Sequence, residues 1–167
     1  LQDDSLPQPD HYTFSSVLFA WSKSKSPNAA ERAECLLVRM QELYEANILK
    51  QPPNVICYSN VLACWAQVPD GKRAEAILRV MQARGVQPNV VSYNTVINAW
   101  ANESKSNHQA LDQVYAVLEE LDELARTKKQ LQPDEWTYRA VWKAIATSHR
   151  AGKVERANEL LETMKGK

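Results

Sequence analysis

The sequence predicts an all-α fold, a superhelical solenoid of stacked helical hairpins. Three observations carry that expectation: a motif that recurs four times, a second motif that follows it at a fixed distance, and prolines confined to the joints. The first motif opens at Gln8-Pro9-Asp10, Pro52-Pro53-Asn54, Gln87-Pro88-Asn89 and Gln132-Pro133-Asp134. Four residues beyond each Asp or Asn stands an aromatic: Phe14, Tyr58, Tyr93 and Tyr138. Seven residues further come Trp21, Trp65 and Trp100, with Ile145 in that place in the fourth copy. The second motif runs from Arg32-Ala33 to Met40, Arg73-Ala74 to Met81, Gln109-Ala110 to Val117 and Arg156-Ala157 to Met164. A period of this length is the signature of a repeat architecture, in which each hairpin buries its apolar face only against its neighbours.

The repeats span residues 11–54, 55–89, 90–134 and 135–167 of a single repeat domain, and residues 1–10 read as the tail of a preceding repeat. The chain is thus expected to be a piece of a longer array. Each repeat reads as two helices. In the second, Val61, Leu62 and Trp65, then Ile77, Leu78 and Met81, fall at helical spacings and give one apolar stripe per helix. Asp10, Asn54, Asn89 and Asp134 are natural N-caps for the first helix of each repeat, because their side chains accept from otherwise orphaned backbone N–H groups. The joints within repeats carry Pro27-Asn28, Pro69-Asp70-Gly71 and Ala151-Gly152. The tryptophans share their stripe with aliphatic residues and read as core wedges, with small neighbours (Ala20, Cys64, Ala99, Ala144) allowing close helix approach.

Composition bounds the function. The chain has 167 residues, the size of one domain, with 20 basic residues against 20 acidic ones. That balance argues against a partner held mainly by charge. No apolar run approaches the roughly 20 residues of a membrane span. Cys35, Cys57 and Cys64 show neither C-x-x-C nor Cys/His metal-ligand spacing and read as free buried thiols of a reducing compartment. His11, His108 and His149 fall in three different repeats, and no phosphate loop, nucleophile motif or metal cluster accompanies them. Neither enzymatic activity, a metal nor a cofactor is therefore expected. The Glu119-Glu120 pair reads as a solvated face.

The stretch Pro88-Asn89-Val90-Val91-Ser92-Tyr93-Asn94-Thr95-Val96-Ile97 closely resembles the opening of a pentatricopeptide repeat. The second repeat, 35 residues long and closing in Met81-Gln82-Ala83-Arg84-Gly85-Val86-Gln87-Pro88-Asn89, has that family's length and ending. The tetratricopeptide repeat is a close structural relative, but its Trp-Leu-Gly-Tyr pattern is missing here. The resemblance implies a right-handed, tetratricopeptide-like superhelix. Repeats one and three exceed the standard length by nine and ten residues. Their surplus segments, Glu42–Lys50 and Glu119–Lys129, are charged helix formers, expected to lengthen the second helix by about two turns, roughly 10 Å.

The resemblance further implies single-stranded RNA as partner, one base per repeat. One reader is the residue after the repeat's aromatic and the other is the Asp or Asn closing the repeat. This pairs Ser15 with Asn54, Ser59 with Asn89 and Asn94 with Asp134, and leaves Arg139 in the fourth repeat. Residues packing on the base plane would be Tyr12, Ile56, Val91 and Trp136. A small Ser leaves room for a purine and a longer Asn suits a pyrimidine; Asp134, an acceptor only, favours a base edge that donates, as uracil does. By family analogy the first three repeats would read adenine, adenine, uracil, 5′ to 3′. Arg139 departs from the usual reader: it could pair with phosphate or stack on a base, or the fourth repeat reads none. Lys23 and Lys25 lie where a phosphate could pass. The family is typical of mitochondria and chloroplasts, which implies an organellar site and a role in RNA processing. The rival reading is a protein-binding scaffold, with partners docking on the extended second helices and no RNA.

Overall fold

The computed structural model describes residues 9–68, 70–149 and 151–165, with side chains as far as Glu162. Residues 1–8 of the expected preceding repeat, Pro69 of the second joint, the Met164 side chain and the last two residues of repeat four lie outside the described residues. Among those described there are eight α-helices, one short 3-10 turn and no strand. The chain divides into two compact units, Leu1–Cys64 and Trp65–Lys167, and the boundary falls within the third helix.

In the first unit, α1 (His11–Lys23) and α2 (Ala29–Glu45) pack as a hairpin. Phe14 and Leu18 of α1 and Ala30, Ala33, Leu37 and Met40 of α2 are buried. These positions recur every three or four residues, which is why both segments are helical. α3 (Val55–Gln67) adds Cys57, Tyr58, Val61 and Leu62 to the buried set. Trp21 is half-buried and Ala20 is exposed, so the packing expected beside the first tryptophan does not form there.

In the second unit, α4 (Gly71–Ala83), α5 (Val90–Glu103), α6 (Ala110–Thr127), α7 (Glu135–Thr147) and α8 (Lys153–Lys165) follow in order. α5 sits at the centre, packed against α4, α6 and α7. Its Tyr93, Val96, Ile97, Ala99 and Trp100 are buried, as are Ile77, Leu78 and Met81 of α4 and Leu111, Val114, Val117 and Leu121 of α6. Trp65 and Trp100 are core residues, as their stripe required. Trp100 Nε1 donates to Glu75 Oε2 at 3.1 Å, which satisfies the one polar atom of the buried ring. A Cβ on Gly71 would overlap the Trp100 indole, so only glycine lets the start of α4 lie against this wedge. Gly85 (φ 74) and Gly152 (φ 80) take the left-handed conformation at joints.

The surplus segments fold differently from the expectation. α2 and α6 have 17 and 18 residues against 13 in α4, an extension of about 6–8 Å rather than two full turns. The rest of each segment turns back. Asn47 takes a left-handed conformation (φ 58) that ends α2, and Ile48 N–H donates back to Leu43 O at 2.9 Å. Leu49 is then buried. After α6, an extended Lys128 leads into the 3-10 turn Lys129–Leu131, which buries Leu131. In both places one leucine is worth more in the core than as a further helical turn in water.

Glu119 is exposed, as a solvated face requires, but Glu120 is not part of that face. Its carboxylate accepts from Tyr93 Oη at 2.9 Å, Gln82 Nε2 at 3.1 Å and Arg79 at 2.7 Å. Partial burial raises the Glu120 pKa, but these donors outweigh it and hold the carboxyl below its ordinary value. Of the cysteines, all free, Cys57 and Cys64 are buried while Cys35 is exposed, contrary to the expectation of three buried thiols.

Candidate nucleic-acid interface

The first helix of each repeat begins at its Asp or Asn. Asp10 accepts from Thr13 N–H at 2.8 Å, Asn54 from Ile56 and Cys57 N–H at 3.0 and 3.2 Å, Asn89 from Ser92 N–H at 3.0 Å and Asp134 from Thr137 N–H at 2.9 Å. Asn89 and Asp134 complete capping boxes, with Ser92 and Thr137 accepting from the cap's own N–H. The cap fixes the helical phase. It places the second helical residue outward, the third inward in repeats two to four (Thr13 of the first is exposed), the fourth (the aromatic, with Tyr138 half-buried) against the core, and the fifth at the margin in repeats one to three and exposed as Arg139 in the fourth.

The four second residues are the proposed base-packing groups, and all are exposed: Tyr12 78 %, Ile56 59 %, Val91 59 % and Trp136 66 %. Large apolar side chains at one register position, all left in water, are a feature that folding alone does not account for.

The proposed readers differ in how the structure treats them. Asn94 Nδ2 donates to Asp134 Oδ1 at 2.9 Å, so this pair, forty residues apart, is brought together. Thr137 Oγ1, fully buried, donates to Asn94 Oδ1 at 2.5 Å. Partial burial raises the Asp134 pKa, yet the Thr137 N–H and the Asn94 amide outweigh it and keep the carboxyl below its ordinary value. The site thus offers a fixed carboxylate, with a second oxygen, beside a fixed amide N–H.

Ser15 and Asn54 are not hydrogen-bonded to each other among the described residues. Ser15 is half-buried and donates to His11 O at 2.9 Å, with Cys57 Sγ at 3.4 Å and His11 Nδ1 also at 3.4 Å. Ser59 is half-buried; Asn89 is exposed and engaged in its cap. Arg139 is exposed and stacks on the Trp136 ring, Cζ 4.8 Å from the centroid. One turn on, Lys143 Nζ donates to Asn102 Oδ1 at 2.5 Å and lies 3.4 Å from Asn98 Oδ1. Lys23 stands over the exposed Phe19 ring at 5.4 Å.

Sequence reasoning missed Thr137, Cys57 and Lys143. Lys143 had a signal, since it stands four residues after Arg139 on the same helical stripe. Thr137 and Cys57 read only as capping residues or core. Among the described residues no cluster of potential metal ligands occurs and no helix is long and apolar enough to cross a membrane.

Residues 53–102 match the sequence profile of the PPR repeat family. No curated protein matches in sequence. Two solved structures are similar. The maize pentatricopeptide repeat protein PPR10 aligns with TM-score 0.68 and 23 % identity over 98 % of this chain and 20 % of that one. The PPR domain of Arabidopsis thaliana protein-only RNase P 1, solved in complex with tRNA, aligns with TM-score 0.64 and 20 % identity over 94 % of this chain and 73 % of that one. The chain therefore spans about a fifth of the length of the maize protein and most of the Arabidopsis domain. The family profile thus marks the second repeat and the start of the third as pentatricopeptide-repeat sequence, and the chain shares the helical-hairpin fold of both structures.

Proposed function

We propose that this chain binds single-stranded RNA through the first helices of its repeats, one nucleotide per repeat. The observation that carries the reading is the exposure of Tyr12, Ile56, Val91 and Trp136 at one register position, each beside a polar reader residue. An apolar side chain against a base plane is sequence-tolerant, and a neighbouring polar pair supplies the choice of base. Support also comes from the similar Arabidopsis domain, whose structure holds tRNA.

The chemistry is clearest in repeat three. The second N–H of Asn94 and the second oxygen of Asp134 form a donor beside an acceptor. Uracil presents the complement, a carbonyl oxygen beside an N–H, whereas cytosine presents an acceptor at the ring nitrogen where Asp134 also accepts. In repeats one and two, Ser15 and Ser59 leave room for a purine. The preferred strand is adenine-adenine-uracil, 5′ to 3′. With 20 basic and 20 acidic residues the affinity rests on stacking and base contacts more than on phosphate neutralisation. The reading extends to a non-catalytic role in organellar RNA metabolism.

Fluorescence anisotropy of the chain with a labelled strand containing adenine-adenine-uracil, against one with those three bases changed to cytosine, tests it. Preference for the first strand is expected. Equal affinity for both would refute base reading, and no binding at either would leave the protein-scaffold alternative standing, tested by capture of partners after nuclease digestion.

A further inference from the structure

Each paired reader described within one compact unit is touched by a third residue. Asn94 is held by Thr137, and Ser15 by Cys57. Both of these are the third residue of the next repeat's first helix, the N3 position of its cap. The contacts link residues 43 and 42 positions apart in the chain. Thr137 and Cys57 are both fully buried, so neither can meet a base itself.

We infer that this third helical residue is a positioning residue of the base-reading site, setting which hydrogen-bonding atoms the reader turns outward. The inference rests on the RNA-reading proposal and deepens it. The argument is strongest at Asn94. An asparagine amide carries a donor end and an acceptor end of nearly the same shape, so an unrestrained one reads a donating and an accepting base edge almost equally. Here the acceptor end is turned toward the buried Thr137 hydroxyl and held by it. Thr137 Oγ1 accepts from Asp134 N–H at 3.0 Å, and of the two acceptors within reach of its single proton Asn94 Oδ1, at 2.5 Å, is nearer than Asp134 Oδ1, at 3.0 Å. The donor end spends one proton on Asp134 Oδ1. What faces outward is the remaining N–H, which suits a carbonyl such as that of uracil and not the amino group of cytosine. At Ser15 the same logic holds in weaker form. Its proton goes to His11 O, and the Cys57 thiol lies against its oxygen, so less of its acceptor capacity is left for a ligand.

The test uses the whole chain and two variants, Thr137→Val and Thr137→Ser. Valine keeps the shape of threonine and removes the hydroxyl; serine keeps the hydroxyl and removes a methyl group. Affinities are measured for strands that differ only at the third nucleotide, uracil or cytosine. Thr137→Val frees Asn94 Oδ1 to rotate toward the strand, and the uracil-to-cytosine preference falls about fivefold, the worth of one hydrogen bond. Thr137→Ser retains most of it. Affinity changes at the two adenine positions stay the same in both variants, which separates positioning from general loss of fold. In the free protein, the Asn94 side-chain amide resonances shift in the valine variant and hold in the serine variant, a readout that needs no RNA. An unchanged preference in Thr137→Val, or an equal loss in Thr137→Ser, overturns the inference while the reading of uracil stands. A wild-type chain that shows no preference at the third nucleotide overturns both.

Discussion

The side-chain amide of Asn94 donates to the carboxylate of Asp134 at 2.9 Å, although one follows the aromatic of the third repeat and the other closes it. The two ends of a repeat thus meet at one point, and a base at that point would be judged by both. Converting Asp134 to Asn replaces an acceptor-only group by one that also donates. The variant Asp134→Asn is expected to lose most of the preference for uracil over cytosine at the third nucleotide, a change of about tenfold for one charge-assisted hydrogen bond. Asparagine is as good an N-cap as aspartate, so the thermal midpoint should move little. Anisotropy titrations with the two strands check the first expectation and a melting curve the second.

The same carboxylate gives a pH dependence whose sign is fixed. Hydrogen bonds from Thr13 N–H hold Asp10 below its ordinary pKa of 3.8, and those of Thr137 and Asn94 hold Asp134 below the same value against the opposing effect of burial. In the unfolded chain both carboxyls take up protons first as pH falls. Their contribution to stability is complete above pH 3.8 and is lost as pH drops through the lower, folded values. Between pH 7 and 5 these two caps contribute in full, so they should add no change with pH to the melting temperature there. Below about pH 4 the wild type should lose stability faster than Asp134→Asn, which has no proton to take up there. A parallel decline of the two proteins contradicts this.

Much of the fold was legible because its signals are local. Four caps, four aromatics and a fixed Ala-to-apolar spacing each report one turn of helix, and a repeat multiplies them. The surplus segments misled because composition favours helix throughout Glu42–Lys50, and only burial of Leu49 decides that the chain turns at Asn47. Glu120 misled in the same way, since nothing in its neighbours Glu119 and Leu121 announces the Tyr93 hydroxyl on another helix. At the candidate site the residues that line the outside were readable as a register. The residue that orients them was not, because Thr137 looks identical as a cap and as a hydrogen-bond donor to Asn94.

Gly71 is a position where the sequence offered only a turn residue and the structure shows a packing demand. Its N–H donates to the Glu103 carboxylate, and the face where a Cβ would stand is filled by Trp100. Gly71→Ala must push the indole off its place and strain its bond to Glu75. Gains in helix propensity at the first turn are a fraction of the cost, about 1–3 kcal/mol for overpacking a close-packed site. Urea unfolding of the variant should show that loss. A stabilised variant would mean that the helix start shifts freely.

Arg139 and Trp136 give the fourth repeat a different expected behaviour. The guanidinium rests on the ring and carries only donors, and among the described residues no acceptor is hydrogen-bonded to it as Asp134 is to Asn94. Stacking on Trp136 and attraction to phosphate are both indifferent to base identity. Changing the nucleotide opposite this repeat through all four bases should alter the dissociation constant by less than about threefold. Trp136→Ala should weaken binding to all four alike, by about 1–3 kcal/mol. A clear preference for one base would assign Arg139 to edge reading instead.

Glu120 ties α4, α5 and α6 through Arg79, Gln82 and Tyr93, and its loss should be felt as stability rather than binding. Tyr93 is buried, and its pKa is pushed up to about 12, first by that burial and then by the hydrogen bond and charge of Glu120. Glu120→Gln removes the charge and keeps an acceptor, so the Tyr93 pKa should fall part of the way toward 10.0, with burial still holding it above. Tyrosinate absorbance followed against pH reads this directly. Glu120→Ala takes away the acceptor as well and should cost about 1–2 kcal/mol, because the Tyr93 hydroxyl then has no group to donate to. If Glu120→Ala and Glu120→Gln prove equally stable, the carboxylate is anchoring nothing. If either selectively changes the third-nucleotide preference, the network reaches from the second helices to the reading face, and Glu120 belongs to the site after all.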